Sequence, residues 1–366
     1  MHGREIKATW MRGGTSKCWV FDREELELPD YTVDEVLLRL FGSPDPRQVD
    51  GVGGGTSTTS KAVIVSPSSD EGVDVDYTFA QVGIEEPVVD WGSNCGNCSS
   101  VVGHYALRRG WVTPTTPTTS VRVRNTNTGQ LIVLDLDTSG DDIVLSEIPG
   151  VPFPGEAVRM WFVEPAGRTT GELLPTGRTR NELTTPHGTV EATLLDAGAP
   201  VVVIDARSVG LTGNEVPAVL DADPETLLRL DEIRRAGAVA MGMATTPAGA
   251  QRAVPKLVVV SPAPEGSDLQ VRMLSMGKVH PALAITGSVA ITMAVATPGT
   301  IAADLAAPHG DRLQISTPAG IVETVLGEHA GRPAVAVTRT MRELADTRLV
   351  IGPAARPVRP AEAVAS

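Results

Sequence analysis

The chain has 366 residues, 31 Lys+Arg against 44 Asp+Glu for a formal net charge of -13, and 42% hydrophobic but only 4% aromatic residues. That length exceeds one ordinary core, so two domains are the first expectation. The acidic balance argues against nucleic acid and anionic membrane as partners, and an anionic ligand would need a locally positive site.

The opening Met1-His2-Gly3-Arg4-Glu5 is polar, unlike a secretory leader, and runs into a strand. Beside that strand lies Arg12-Gly13-Gly14-Thr15-Ser16-Lys17. It combines flexible backbone with two cations and two hydroxyls, so Arg12, Thr15, Ser16 and Lys17 are candidate ligand contacts. Gly53-Gly54-Gly55-Thr56-Ser57 lacks the Gly-Lys-Ser/Thr ending of a P-loop and leads into a strand, not a helix. It reads as a carboxylate-binding turn, with Ser57 and Thr58 as donors. Short β-branched strands are expected at Lys61 to Val65, Val73 to Phe79, Val121 to Val123, Leu131 to Leu136, Pro255 to Val260, Leu269 to Leu274 and Ala334 to Thr338.

Asn94-Cys95-Gly96-Asn97-Cys98-Ser99 is the most chemically suggestive stretch. It precedes the apolar-periodic residues Val101, Val102, Tyr105 and Ala106, and so reads as the first turn of a helix. Unpaired N–H groups and the positive dipole end there favour a thiolate and attract a carboxylate. Gly96 would let a ligand approach the backbone. The spacing Cys95-x-x-Cys98 has no second pair or His cluster to complete a zinc site, and no βαβ context for a redox motif. The three cysteines, Cys18, Cys95 and Cys98, form no disulfide framework, and a cytoplasmic location is expected.

Lys278 and His280 precede Pro281 and a second helix, starting at Thr286-Gly287-Ser288, that is apolar nearly all round. Such a helix is enclosed on every side, and its start is a second anion-binding candidate. The apolar run from Pro281 to Thr297 is interrupted by polar residues and is short for a membrane span.

The chain is written twice. Lys61-Ala62-Val63-Ile64-Val65-Ser66-Pro67 is echoed by Lys256-Leu257-Val258-Val259-Val260-Ser261-Pro262, and Glu35-Val36-Leu37-Leu38-Arg39-Leu40 by Glu225-Thr226-Leu227-Leu228-Arg229-Leu230. Phe79-Ala80-Gln81-Val82-Gly83 and Thr126-Asn127-Thr128-Gly129 find partners at Met273-Leu274-Ser275-Met276-Gly277 and Thr317-Pro318-Ala319-Gly320, in the same order. The expectation is an α+β protein of two pseudo-symmetric domains, residues 1–185 and 186–366, each a β-sheet wrapped around a central apolar helix. The final strand is free to return to the first domain. Pro149 to Gly188, rich in proline and glycine, reads as the linker.

Five segments carry a family resemblance: Met11-Arg12-Gly13-Gly14-Thr15-Ser16-Lys17, Gly53 to Lys61, Asn94-Cys95-Gly96-Asn97, Leu173-Leu174-Pro175-Thr176-Gly177 and Lys278-Val279-His280-Pro281-Ala282. They resemble the PrpF family of isomerases, within the diaminopimelate epimerase-like fold. The resemblance implies a cofactor-independent proton shift in an unsaturated di- or tricarboxylate such as aconitate, 2-methylaconitate or methylitaconate. Lys61 and Cys95 would be the acid–base pair, with no metal. Alternatives within the resemblance are a 4-oxalomesaconate-type tautomerase and a non-catalytic helper of an aconitase-like dehydratase. Cys18 departs from the glycine common after the family's lysine, which bears on substrate shape. The second helix start has no cysteine, so a symmetric two-thiol mechanism is not expected. The expected partner is a small polycarboxylate, and the sequence leaves a homodimer open.

Overall fold

A computed structural model of the protein describes residues 3–92, 94–140, 145–308 and 310–352; the outer ends of the two expected domains, residues 1–2 and 353–366, lie outside them. The first half runs β1 (Arg4–Gly13), β2 (Ser16–Asp22), α1 (Val33–Phe41), β3 (Lys61–Pro67), β4 (Val75–Val82), β5 (Val89–Asp90), α2 (Gly96–Ser99), α3 (Val102–Arg108), β6 (Thr118–Asn125), β7 (Leu131–Asp137), β8 (Leu145–Ser146) and β9 (Gly155–Val163). The second runs β10 (Asn181–Thr185), β11 (Gly188–Ala197), β12 (Ala199–Asp205), α4 (Pro217–Asp221), α5 (Pro224–Ala240), β13 (Lys256–Ser261), β14 (Leu269–Ser275), β15 (Lys278–Val279), α6 (Ile285–Val295), α7 (Ile301–Leu305), β16 (Arg312–Thr317), β17 (Gly320–His329) and β18 (Arg332–Ile351).

Strand pairing makes the repeat physical. In the first half β1–β2 is antiparallel, β2–β3 parallel, β3–β4 antiparallel, β4–β6 parallel, and β6–β7 and β7–β9 antiparallel. The same series recurs for β11–β12, β12–β13, β13–β14, β14–β16, β16–β17 and β17–β18. β18 serves both halves. Its start pairs with β17 and β9, and its end runs along β1 from Met341 to Ile351, closing the first ring of strands. Just past β9, Ala166 bridges to Ala197 at the end of β11.

Each ring encloses a helix. Val101, Val102, Tyr105 and Ala106 fill the first core against inward residues such as Val63, Phe79, Val121 and Ile132. Ala290, Ile291 and Ala294 fill the second against Val258, Val260, Leu269 and Met273. α6 is buried along nearly all its length, as its all-round apolar sequence requires. α1 and α5 cover the outer faces of the sheets through Val36, Leu37, Leu40 and Phe41, and through Leu230 and Ile233.

Two expectations are corrected. The region from Pro149 to Gly188 is not merely a linker: it contains β9 and β10, and β9 is integral to the sheet. Its inward Val158, Met160 and Phe162 alternate as a half-buried strand should, but turn-rich flanks hide the pattern. The first inner helix is also not continuous from Asn94. Cys95 is the N-cap of α2, and a turn at Ser100 and Val101 separates α2 from α3. Ser99 and Ser100 hydroxyls donate to the carbonyls of Gly96 and Asn97, competing with the helical ladder where it breaks.

Candidate active site

β3 opens with Lys61, which pairs across the sheet with Gln81. Lys61 is only 8% exposed. Its Nζ donates to Gln81 Oε1 at 2.6 Å, and Gln81 Nε2 donates to Ser60 O at 2.8 Å, so the amide that holds the ammonium is itself held. The Phe79 ring lies beneath Nζ at 4.9 Å. Cys95, half-buried, points into the same cavity from the N-cap of α2.

The second half supplies the opposite wall. β13 opens with Lys256, which is 7% exposed, and Nζ donates to Ala253 O at 3.3 Å. Leu257 pairs with Leu274, so Ser275 stands where the first half has Gln81. Ala284, the N-cap of α6, stands where the first half has Cys95. All six of these residues line one cavity of about 90 Å³. Its described lining contains Lys61, Lys256 and Lys278 and no Asp or Glu, in a chain with 44 acidic residues. That concentration of cation is the positive site an anionic ligand needs here.

The electrostatics correct the expected thiolate. The hydrogen bond to Cys98, then burial, push the Cys95 thiol well above the ordinary range, while Lys61 draws it part of the way back. In the unliganded site Cys95 is therefore a protonated thiol, placed to give a proton. Burial does the same to Cys98, which is fully enclosed and shares a hydrogen bond with Cys18. Burial, then the charge of Lys61, lower Lys256 to about 8. Desolvation, then the charges of Lys256 and Lys61, lower half-buried His280 to about 4. It is neutral at physiological pH, and its Nδ1 accepts from Ala282 N–H at 3.1 Å, so Nε2 carries the proton.

Of the residues singled out in the sequence, Ser16, Ser57, Thr58, Lys61, Asn94, Cys95, Gly96, Asn97, Lys278, His280 and Thr286 line the cavity. Asn94 Oδ1 accepts from Tyr77 Oη, leaving Nδ2 buried without a protein partner among the described residues. Arg12, Thr15, Lys17, Gly287 and Ser288 are not in the lining. Arg12 donates to Thr340 O at 2.9 Å and to Gly14 O at 3.2 Å, tying the β1–β2 turn to β18. Lys17 lies over the Trp10 ring at 4.5 Å. Thr15 accepts from Asn97 Nδ2 at 3.1 Å, and a Cβ on Gly14 would collide with Asn97 Oδ1, so this Gly-rich turn docks on α2. Gly287 packs under the thioether end of Met273, and the Ser288 hydroxyl donates to Ile285 O at 2.8 Å. Gly96 has a different reason from the one its sequence suggested. A Cβ there would lie 2.6 Å from Ile285 Cβ, so glycine lets the starts of the two inner helices touch.

Gln81, Lys256, Ser275 and Ala284 were not identified as site residues from the sequence. The repeat held the signal for all four: Gln81 is cross-strand from Lys61, Lys256 and Ala284 are the equivalents of Lys61 and Cys95, and Ser275 is the equivalent of Gln81. Among the described residues, no group of three His, Cys, Asp or Glu side chains is arranged to hold a metal, and no helix is long and apolar enough to cross a membrane.

The sequence matches the family described as PrpF protein over residues 4–351. The chain belongs to the PrpF family. It is 38% identical over 339 residues to a 2-methyl-aconitate isomerase of Shewanella oneidensis, covering 84% of this chain and 85% of that protein. It is 38% identical over 355 residues to a 4-oxalomesaconate tautomerase of Pseudomonas putida, covering 95% and 96%. The crystal structure of a methylitaconate-delta-isomerase superimposes with a TM-score of 0.81 at 33% identity, over 98% of this chain and all (100%) of that one. This PrpF chain thus has the diaminopimelate epimerase-like fold, with two pseudo-symmetric halves each wrapped round its own helix.

Proposed function

We propose that this PrpF protein is an isomerase that shifts a proton within an unsaturated di- or tricarboxylate, with Lys61 and Cys95 as its proton-transfer pair. The observation that carries this reading is the cavity itself: a protonated thiol and a positioned lysine converge on a cationic, carboxylate-free space. Two kinds of relative support it, a 2-methyl-aconitate isomerase and a methylitaconate-delta-isomerase.

The mechanism follows from the placement. Once the Lys61 ammonium has given a proton to solvent, its amine takes a proton from substrate carbon next to a conjugated carboxylate. The electron pair spreads into that carboxylate as an enolate, and the positive surroundings stabilise the charge as it forms. Asn94 Nδ2, the neutral His280 imidazole and the first N–H groups of α2 are the donors placed to share it. Cys95 Sγ–H returns a proton at the other end of the allylic system, so the double bond moves, or rotates before the proton arrives. The ammonium on Lys61 and the thiolate on Cys95 are then reset by one proton exchange.

The same apparatus could serve a keto–enol tautomerisation, the activity carried by the name of the Pseudomonas relative. Proton NMR of the purified protein in deuterated water, with aconitate, 2-methylaconitate, methylitaconate and 4-oxalomesaconate in turn, separates these substrates. Deuterium entering one acid as its double bond moves is the expected result. Inertness toward all four would end the reading.

A further inference from the structure

The two halves keep the same frame and fill it differently. Lys61 and Lys256 each open the third strand of the repeat, at the parallel junctions β2–β3 and β12–β13. Across from them stand Gln81 and Ser275, and at the helix starts Cys95 and Ala284. The first half thus has the lysine, the amide that orients it and the thiol. The second half keeps only the lysine.

That lysine is an expensive thing to keep. A buried ammonium costs free energy unless it is paired, and a second one beside it adds repulsion. Lys256 is as enclosed as Lys61, yet no described carboxylate forms an ion pair with it. Ser275 is too short to reach it as Gln81 reaches Lys61. One long bond to Ala253 O leaves the remaining ammonium donors available on the cavity side.

We propose that Lys256 is the substrate-binding counterpart of Lys61: it holds one carboxylate of the polycarboxylate and takes no part in proton transfer. This rests on the isomerase reading above. With Ala284 in place of a thiol, and with His280 a neutral imidazole whose Nε2–H is a very weak acid, the second half lacks the counterpart of the Lys61–Cys95 pair. The groups facing it are Lys61, Cys95, His280, Asp90 and Arg234. At neutral pH it is predominantly the ammonium, the form a carboxylate needs.

The test uses the full chain and tricarballylate, a saturated tricarboxylate that cannot isomerise, as the binding probe. Calorimetric titration and steady-state kinetics are run on wild type, Lys256→Met, Lys256→Arg and Ser275→Gln. A charge-assisted hydrogen bond lost from a buried site should weaken tricarballylate binding and raise KM about ten- to a hundredfold in Lys256→Met, with kcat within about threefold. Lys256→Arg should recover much of the binding. Ser275→Gln, which gives Lys256 the acceptor that Lys61 already has, should raise KM with kcat retained, and it carries the test should Lys256→Met fail to fold. Unchanged binding in Lys256→Met, an unaltered KM in Ser275→Gln, or loss of kcat at constant KM would overturn the assignment. A wild type that neither binds tricarballylate nor isomerises any polycarboxylate would remove the isomerase reading, and this assignment with it.

Discussion

Gln81 separates positioning from chemistry. In Gln81→Leu the side chain keeps its approximate volume, but Lys61 loses the acceptor now 2.6 Å from Nζ. Little else should be lost, because Ser60 O, which accepts from Gln81 Nε2, also accepts from Val82 N–H at 3.1 Å. A hydrogen bond to a charged group contributes about 1.5–3 kcal/mol. At about 1.4 kcal/mol per decade of rate, kcat should fall roughly ten- to a hundredfold. KM should move little, since Gln81 orients the lysine and is not assigned a substrate contact. Steady-state kinetics alongside a thermal melt decide it, the melt confirming that the strand pair β3–β4 is intact. A folded Gln81→Leu enzyme with normal kcat would refute the reasoning, because Lys61 would then need no orientation. A large KM effect at constant kcat would make Gln81 a substrate contact instead.

Gly96→Ala should destabilise the protein by about 1–3 kcal/mol, the usual cost of overpacking, because the new Cβ lands 2.6 Å from Ile285 Cβ and 2.9 Å from its Cγ2; denaturant unfolding measures the loss, and a fully stable Gly96→Ala variant would contradict the contact. For His280 the folded pKa, about 4, lies below the ordinary 6.5, so between those values the unfolded chain binds more protons. This residue's contribution to stability is present above pH 6.5 and is lost as pH falls toward 4, and melts from pH 4 to 8 should show a shallower acid slope in His280→Gln than in wild type.

The amino-acid pattern exposed what is periodic or repeated. The all-apolar α6, the echo between Lys61 and Lys256, and the shared Gly-bearing turns before β7 and β17 were enough to recognise two wrapped halves. β9 escaped because Pro and Gly flank it on both sides and its pairing with β18 depends on chain far away in sequence. At the site, Lys61 and Cys95 stood out as residue types, but their surroundings did not. Whether Arg12 faces the cavity or β18 is decided by a carbonyl at residue 340, which no local motif announces. The Cys95 thiol was expected to be ionised by its helix start, yet α2 is only four residues long, and contact with buried Cys98 outweighs that short dipole. In the sequence Lys256 is only the echo of Lys61; the repeat is what brings it to the cavity.

The most direct test of the central claim follows deuterium from solvent into substrate and product with Lys61→Ala, Cys95→Ser and, as a control, Cys98→Ser, on whichever acid wild type isomerises. Removing a positioned acid or base costs at least about a hundredfold in turnover. Lys61→Ala should neither exchange the substrate proton nor form product. Cys95→Ser should still exchange that proton, because Lys61 remains, but should fail to complete the isomerisation. Cys98→Ser, altered one turn further along and facing the core, should do both, because its hydroxyl can still take the hydrogen bond from Cys95. Exchange at the wild-type rate in Lys61→Ala, or normal product formation in Cys95→Ser, would contradict the account.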